Sequence, residues 1–136
     1  MPQHRFIAGL MVAQAVSLAV LGALHISGTV HPASGVEFRE GVSEVVISVV
    51  MLWGASSMAR RGAAGYKVAL GTTLFAIAGF IFGLTITIRS GYIPDITYHV
   101  IVFPTLFVSL VLIWRAGRGG AGAGHGAVDQ TSARLR

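Results

Sequence analysis

Four apolar runs, each bounded by polar or charged residues, constrain this chain more than any other feature of its sequence. They are Phe6–Ser27, Val45–Met58, Val68–Ile88 and Val100–Trp114. A helix needs roughly 20 apolar residues to cross the ~30 Å hydrocarbon core of a bilayer. The second and fourth runs are short, so their helices must begin earlier, near residues 40 and 98. The sequence therefore predicts an all-α integral membrane protein, a four-transmembrane-helix bundle in residues 1–116 with spans at about 6–27, 40–58, 68–88 and 98–114.

The composition agrees with this class. Hydrophobic residues make up 54% of the chain and charged residues 11%, with a mean hydropathy of +0.74, against roughly 25% charged residues in a soluble domain. The absence of cysteine excludes disulfides and thiolate metal sites. The net charge is +5, but the basic residues flank the apolar runs instead of forming a stripe, so the expected partner is the lipid bilayer and not nucleic acid.

The two ends of the chain are expected to differ. The first run is longer than the 7–15-residue apolar core of a signal peptide, so we interpret it as a retained anchor. The last segment, residues 117–136, is rich in glycine, alanine and polar residues, and we expect a flexible, disordered cytoplasmic tail. His4 and His125 lie in these ends and are expected to be solvated.

The orientation follows from the distribution of arginine and lysine. One side of the predicted membrane carries Arg5, Arg60, Arg61, Lys67, Arg115 and Arg118. The other side carries only Arg39 and Arg89. The positive-inside rule then places both termini in the cytoplasm, in a multi-pass protein of the plasma membrane.

Four of the five acidic residues lie on the predicted outer side. Glu37, Glu40 and Glu44 are spaced to share one helix face, with Glu44 the deepest. A hydrated helix start, with Arg39 and Arg89 as counter-ions, accounts for Glu37 and Glu40. Asp95 is expected to pair with Arg89 and hold the outer loop closed.

Two histidines lie at the same predicted border, His25 at the end of span one and His99 at the start of span four. They become neighbours if the four helices close into a bundle. Ionisable groups at such depth are functional-site candidates. We therefore predict an outward-facing polar vestibule, with ligand contacts from His25, Glu40, Glu44, Arg89 and His99. His31, in the first outer loop, is expected to be solvated.

Two cofactors are compatible with these residue types. His25, Glu44 and His99 can supply nitrogen and oxygen ligands to a divalent transition metal. Alternatively, His25 and His99 can serve as the two axial ligands of a haem. Neither reading has a tight sequence spacing such as H-E-x-x-H to support it.

Small and polar residues inside the spans predict how the helices pack. Gly79 and Gly83 form a GxxxG pair on span three, which can pack within the chain, as we favour, or against a second copy or another membrane protein. Gln14 is expected to hydrogen-bond to a neighbouring helix near mid-membrane.

The chain carries no G-x-S-x-G elbow and no phosphate-binding loop with a lysine. In size and span count it is similar to small four-helix membrane families, including the DoxX-like proteins and the small multidrug exporters. It shares no motif with the former, and it has Gln14 and His25 in the first span where the exporters place an essential carboxylate. We expect a non-enzymatic accessory subunit or small-ligand binding module. The alternatives are a metal- or haem-dependent redox protein and a small transporter.

Overall fold

The chain is all-helical throughout the part that the structure describes. This computed structural model describes the backbone of residues 3–29 and 35–133, and the side chains within those ranges except at 35–37, 63, 90 and 119–133. The four long helices are α1 (Gln3–Ile26), α2 (Gly35–Arg61), α3 (Tyr66–Ser90) and α4 (Ile93–Ala133). A short 3₁₀ helix, Gly62–Gly65, joins α2 to α3.

All four long helices are long and apolar enough to cross a membrane, as predicted. The qualifying segments are 24 to 26 residues long, or about 36–39 Å at 1.5 Å per residue. As expected from the two short apolar runs, α2 and α4 begin early, so that Glu44 and His99 lie inside helices. The α4 backbone is helical to Ala133, beyond the predicted span end at Trp114. The flexibility of the tail after residue 117 stays a prediction, and its side chains from residue 119 lie outside the description.

The helices close into a bundle in which α1 packs against both α2 and α4, and α3 packs against the same two helices. The prediction that the first and last helices are neighbours is therefore confirmed. Gln14 joins them as expected: its Nε2 donates to Thr105 Oγ1 at 3.0 Å, and Ser109 Oγ donates to its Oε1 at 3.1 Å. The core between the helices is apolar, and other large apolar side chains, such as Phe82 and Ile101, are exposed around the outside.

Two helices, α1 and α3, end in glycine caps at the same end of the bundle. At the end of α1, Thr29 N–H donates to Leu24 O and Gly28 N–H donates to His25 O, both at 3.1 Å, with Gly28 at φ +68°. This pattern is a Schellman motif, which satisfies carbonyls that a helix end otherwise leaves unpaired. At the end of α3, Gly91 at φ +71° donates its N–H to Thr87 O. The chain therefore turns into α4 within two residues.

The predicted small-residue face of α3 packs inside the chain. A Cβ added to Gly79 would lie 2.6 Å from Ile47 Cδ1 on α2, and one added to Gly83 would lie 3.5 Å from His99 Nε2 on α4. The GxxxG pair thus has neighbours within the same chain, as we favoured from the sequence. An oligomer formed through this pair stays a prediction.

Candidate functional site

Five polar side chains from three helices converge at one end of the bundle. His25 comes from the last turn of α1, Glu40 and Glu44 from α2, and Asp95 and His99 from the start of α4. Four of them are at least nine-tenths buried, with exposed fractions of 4% for His25, 7% for Glu44, 4% for Asp95 and 5% for His99. We call these five residues the polar cluster. It contains four of the five predicted vestibule residues, and Asp95 in addition.

The shortest contact between side chains of the polar cluster joins α1 to α2. His25 Nδ1 lies 2.8 Å from Glu44 Oε2, and both side chains are buried. At this distance the ring nitrogen and the carboxylate form a charge-assisted hydrogen bond whenever the imidazole is protonated. The pair satisfies one nitrogen of His25 and leaves the other, Nε2, facing Asp95.

Two facing glycines allow this contact. A Cβ added to Gly22 on α1 would lie 2.8 Å from Gly41 O on α2, and a Cβ added to Gly41 would lie 2.6 Å from Gly22 O. Each glycine also lies against the other helix's site residue, Gly22 against Glu44 and Gly41 against His25. The two backbones can therefore approach closely enough for His25 and Glu44 to meet across the interface.

Asp95 lies at the centre of the polar cluster. Its Oδ2 accepts a hydrogen bond from Thr87 Oγ1 at 3.0 Å, while its Oδ1 lies 3.4 Å from His99 Nδ1 and 4.0 Å from His25 Nε2. The Nδ1–H of His99 donates to the backbone carbonyl of Asp95 at 2.9 Å. A single carboxylate thus faces both histidines and connects α1, α3 and α4.

Two carboxylate oxygens of the polar cluster have no hydrogen-bond partner. They are Asp95 Oδ1 and Glu40 Oε1. Among the described residues, no other buried side-chain nitrogen or oxygen atom lacks a hydrogen-bond partner. Leaving a buried acceptor unsatisfied is costly. Glu40 therefore has a carboxylate oxygen available to a ligand, and its role as a ligand contact stays a prediction.

A cavity of about 490 Å³ lies between α2 and α3 and ends at the polar cluster. Glu40, Glu44, Asp95 and His99 form its polar end. Its walls are mostly apolar, and they include Val42, Val46, Ile47, Phe75, Phe80 and Phe82. Because several of these side chains are also exposed on the outside of the bundle, the cavity reaches the surface between the two helices.

Two groups of three residues bring potential metal ligands within 4.8 Å of one another: His25, Glu40 and Asp95, and Glu44, Asp95 and His99. The predicted set of His25, Glu44 and His99 is divided between them. The bis-histidine haem stays a prediction. The Asp95 carboxylate lies 4.0 Å from His25 Nε2 and 3.4 Å from His99 Nδ1.

Arg89 does not form the ion pair that was predicted from the sequence. The expected ion pair between Arg89 and Asp95 is absent from the described contacts, because Asp95 turns inward to Thr87 and the histidines while Arg89 is exposed near the end of α3. The role of Arg89 as a ligand contact stays a prediction, and Arg39 lines the cavity instead. His31 and the side chain of Glu37 lie outside the described residues.

Asp95 and Gly41 are the important residues that sequence reasoning missed. Asp95 and His99 are four residues apart, which places them on one face of a helix if α4 begins before Asp95. Gly91 ends α3, which leaves room for α4 to begin before Asp95. Gly41 lies three residues before Glu44, just as Gly22 lies three residues before His25, and this repeated spacing was the available sign of the close crossing.

Comparison of the chain with protein families, with curated proteins and with solved structures gave no match. The function is therefore argued from the geometry alone.

Proposed function

We propose that this chain is a multi-pass protein of the plasma membrane that binds a small amphipathic ligand in the cavity between α2 and α3. Both termini would be cytoplasmic and the polar cluster would lie on the outer side. It would act as a binding module or accessory subunit and not as an enzyme. The observation that carries the proposal is a mostly apolar cavity that ends at buried carboxylates and an imidazole.

The placement in a membrane is supported by the helices and their flanking charges. Four helices have the length and hydropathy of membrane spans, and large apolar side chains face outward from the bundle. Six arginine and lysine residues flank the end opposite the polar cluster, whereas Arg39 and Arg89 flank the cluster's end. The positive-inside rule favours a cytoplasmic location for the first end.

The chemistry of the cavity indicates the kind of ligand. Its polar end is rich in acceptors, and two of them, Glu40 Oε1 and Asp95 Oδ1, have no hydrogen-bond partner. A ligand head that donates hydrogen bonds or carries positive charge would satisfy them. The apolar body of the ligand would lie against side chains such as Ile47 and Phe80. A lipophilic amine has both properties, and its entry between α2 and α3 would be from the lipid.

The other predicted functions lack a comparable observation. A small transporter needs a route to the second side of the membrane, and the lining of the cavity extends from the polar cluster only as far as Ile47 on α2 and Phe75 on α3. For the haem-dependent redox protein, the described polar contacts of His25 and His99 are with carboxylates and a backbone carbonyl.

The topology can be tested by single-cysteine labelling, since the native chain has no cysteine. Thr29 and Ala64 are exposed and lie in the connections at opposite ends of the bundle. Thr29→Cys is expected to react with a membrane-impermeant maleimide in intact cells, whereas Ala64→Cys should react only after permeabilisation. The opposite pattern would overturn the orientation, and equal labelling of both in intact cells would overturn the membrane insertion.

Ligand binding can be tested with three probes that share a ten-carbon chain and differ in the head: decylammonium, decanol and decanoate. Decylammonium is expected to stabilise the protein in lipid nanodiscs most, by about 2.7 kcal/mol at one hundred times its Kd. Thermal unfolding at matched probe content measures the difference. Equal effects of the three probes would contradict the proposal, because nonspecific partitioning does not distinguish the heads.

Two matched variants on α3 locate the binding. Gly83 lines the cavity beside His99, whereas an added side chain at Gly71 would meet open space. Gly83→Leu is expected to remove the decylammonium effect and Gly71→Leu to preserve it. If both variants keep the effect, the ligand binds elsewhere.

A further inference from the structure

The two unpartnered carboxylate oxygens belong to the same three-residue group. Glu40 Oε1 and Asp95 Oδ1 have no hydrogen-bond partner, and with His25 they form one of the two groups whose ligand atoms lie within 4.8 Å of one another. His25 Nε2 is the third free atom, since the contact with Glu44 uses Nδ1. Asp95 is 4% exposed and directs Oδ1 at this nitrogen across 4.0 Å.

We propose that His25 Nε2, Glu40 and Asp95 bind one divalent transition-metal ion. One imidazole and two carboxylates are a mixed nitrogen and oxygen donor set, which suits zinc and its neighbours in the first transition row better than calcium or magnesium. Two oxygen or nitrogen donors on one tetrahedral zinc ion lie roughly 3.4 Å apart. The separation of 4.0 Å between His25 Nε2 and Asp95 Oδ1 must therefore shorten when the ion binds.

The residues behind the three ligands form a suitable outer shell. Glu44 Oε2 lies 2.8 Å from His25 Nδ1, so it can hold the ring in the tautomer whose Nε2 carries the lone pair. Thr87 Oγ1 donates to Asp95 Oδ2 at 3.0 Å and leaves Oδ1 directed into the site. Carboxylate–histidine–metal chains of this kind orient the residues that bind the metal directly and raise metal affinity. Glu44 was predicted to bind the metal itself, whereas in this proposal it is the hydrogen-bond partner of the ligand His25.

His99 provides a matched comparison for His25. Both are buried imidazoles within 4.0 Å of Asp95 Oδ1. However, His25 faces Asp95 Oδ1 with the nitrogen that its hydrogen bond leaves free. His99 faces the same oxygen with Nδ1, whose N–H is donated to the backbone carbonyl of Asp95, and Phe80 and Tyr98 pack beside its ring. In the proposed site His99 supports the position of Asp95 and is not a ligand.

This inference goes beyond the proposed function, because metal binding by these three residues needs no ligand in the cavity. The metal ion and a cationic ligand head would compete, since both would use Glu40 Oε1 and Asp95 Oδ1. The two proposals can fail separately. Gly83→Leu, which is designed to block the cavity, is expected to leave metal binding intact.

The test is titration of metal-free, purified full-length protein with Co²⁺, followed by its visible absorption and by equilibrium dialysis. We expect one Co²⁺ per chain, displaced by Zn²⁺. Asp95→Asn, Glu40→Gln and His25→Gln should each weaken binding by at least about 100-fold, since loss of an outer-shell partner alone typically costs 10–100-fold. Glu44→Gln should weaken it by about 10–100-fold, and His99→Gln by less than about 10-fold.

Glu40→Gln keeps the test decisive, because Glu40 Oε1 has no partner to lose and the variant should fold. Thermal unfolding of each metal-free variant identifies those that do not fold. The histidines outside the polar cluster are present in every variant, so adventitious binding by them would persist. Absence of Co²⁺ binding, undiminished binding by Glu40→Gln, or equal losses in His25→Gln and His99→Gln would each overturn the proposal.

Discussion

Glu44→Leu is expected to lower the free energy of unfolding of the metal-free protein by about 3 kcal/mol. The substitution removes the partner of His25 Nδ1 while the ring stays 4% exposed. Loss of one member of a buried charged pair costs about 3–5 kcal/mol, and an unsatisfied buried polar group costs about 1–3 kcal/mol. Reversible unfolding in mixed micelles, monitored by circular dichroism, measures the change.

Glu40→Leu is the matched control, one helical turn away on the same helix. Its Oε1 has no hydrogen bond to lose, so the free energy of unfolding should stay the same or rise. The double variant His25→Leu/Glu44→Leu should lose less stability than Glu44→Leu, because replacing both partners of a buried pair by apolar groups is often neutral. A double variant whose loss equals the sum of the single losses would show that the two side chains are not coupled.

Gly41→Ala is expected to separate α1 from α2. Its new methyl group would lie 2.6 Å from Gly22 O and 3.0 Å from His25 Cβ. The first of these neighbours is backbone and cannot rotate away, so the helices must move apart. Overpacking of this kind costs about 1–3 kcal/mol. The same movement should weaken the contact between His25 and Glu44, which the ¹⁵N chemical shifts of the His25 ring would report.

Gly71→Ala controls for the general effect of replacing glycine by alanine in a helix. Nothing lies within 4 Å of the added methyl group at Gly71, so the variant should be unchanged or more stable by up to about 1 kcal/mol. Gly22→Ala should resemble Gly41→Ala, and the two together should cost less than their sum, because the second methyl group enters a gap that the first has opened. Full additivity would mean that the two glycines do not share one contact.

Much of the fold could be predicted because the length of an apolar run and the polar residues that bound it are local properties of the sequence. The four apolar runs gave the number of helices, and the shortness of two runs gave the early starts of α2 and α4. The partner of Gln14 could be placed on a neighbouring helix but not named, since Thr105 and Ser109 are more than 90 residues away in sequence.

The candidate site could be predicted only in part. The distribution of charged residues predicted at which end of the bundle the site lies. The lengths of the spans predicted that His25, Glu44 and His99 belong to it. The position of Asp95 was not predicted, because pairing it with the nearby Arg89 is the simpler local interpretation. Its inward direction depends on the cap at Gly91 and on the hydrogen bond from Thr87. The two histidines belong to separate groups of potential ligands because of the way α4 is rotated against α1. This rotation cannot be derived by inspection of a single sequence.

The crossing of Gly22 and Gly41 has a consequence for the recognition of related chains. The close approach requires a glycine three residues before the histidine of α1 and another three residues before the glutamate of α2. The start of α4 adds an aspartate four residues before a histidine. Written as a pattern, these are G-x-x-H near the end of the first span, G-x-x-E at the start of the second, and D-x-x-x-H at the start of the fourth. A distant sequence that carries all three elements in this order would be expected to assemble the same cluster, even where the apolar residues between them have changed completely.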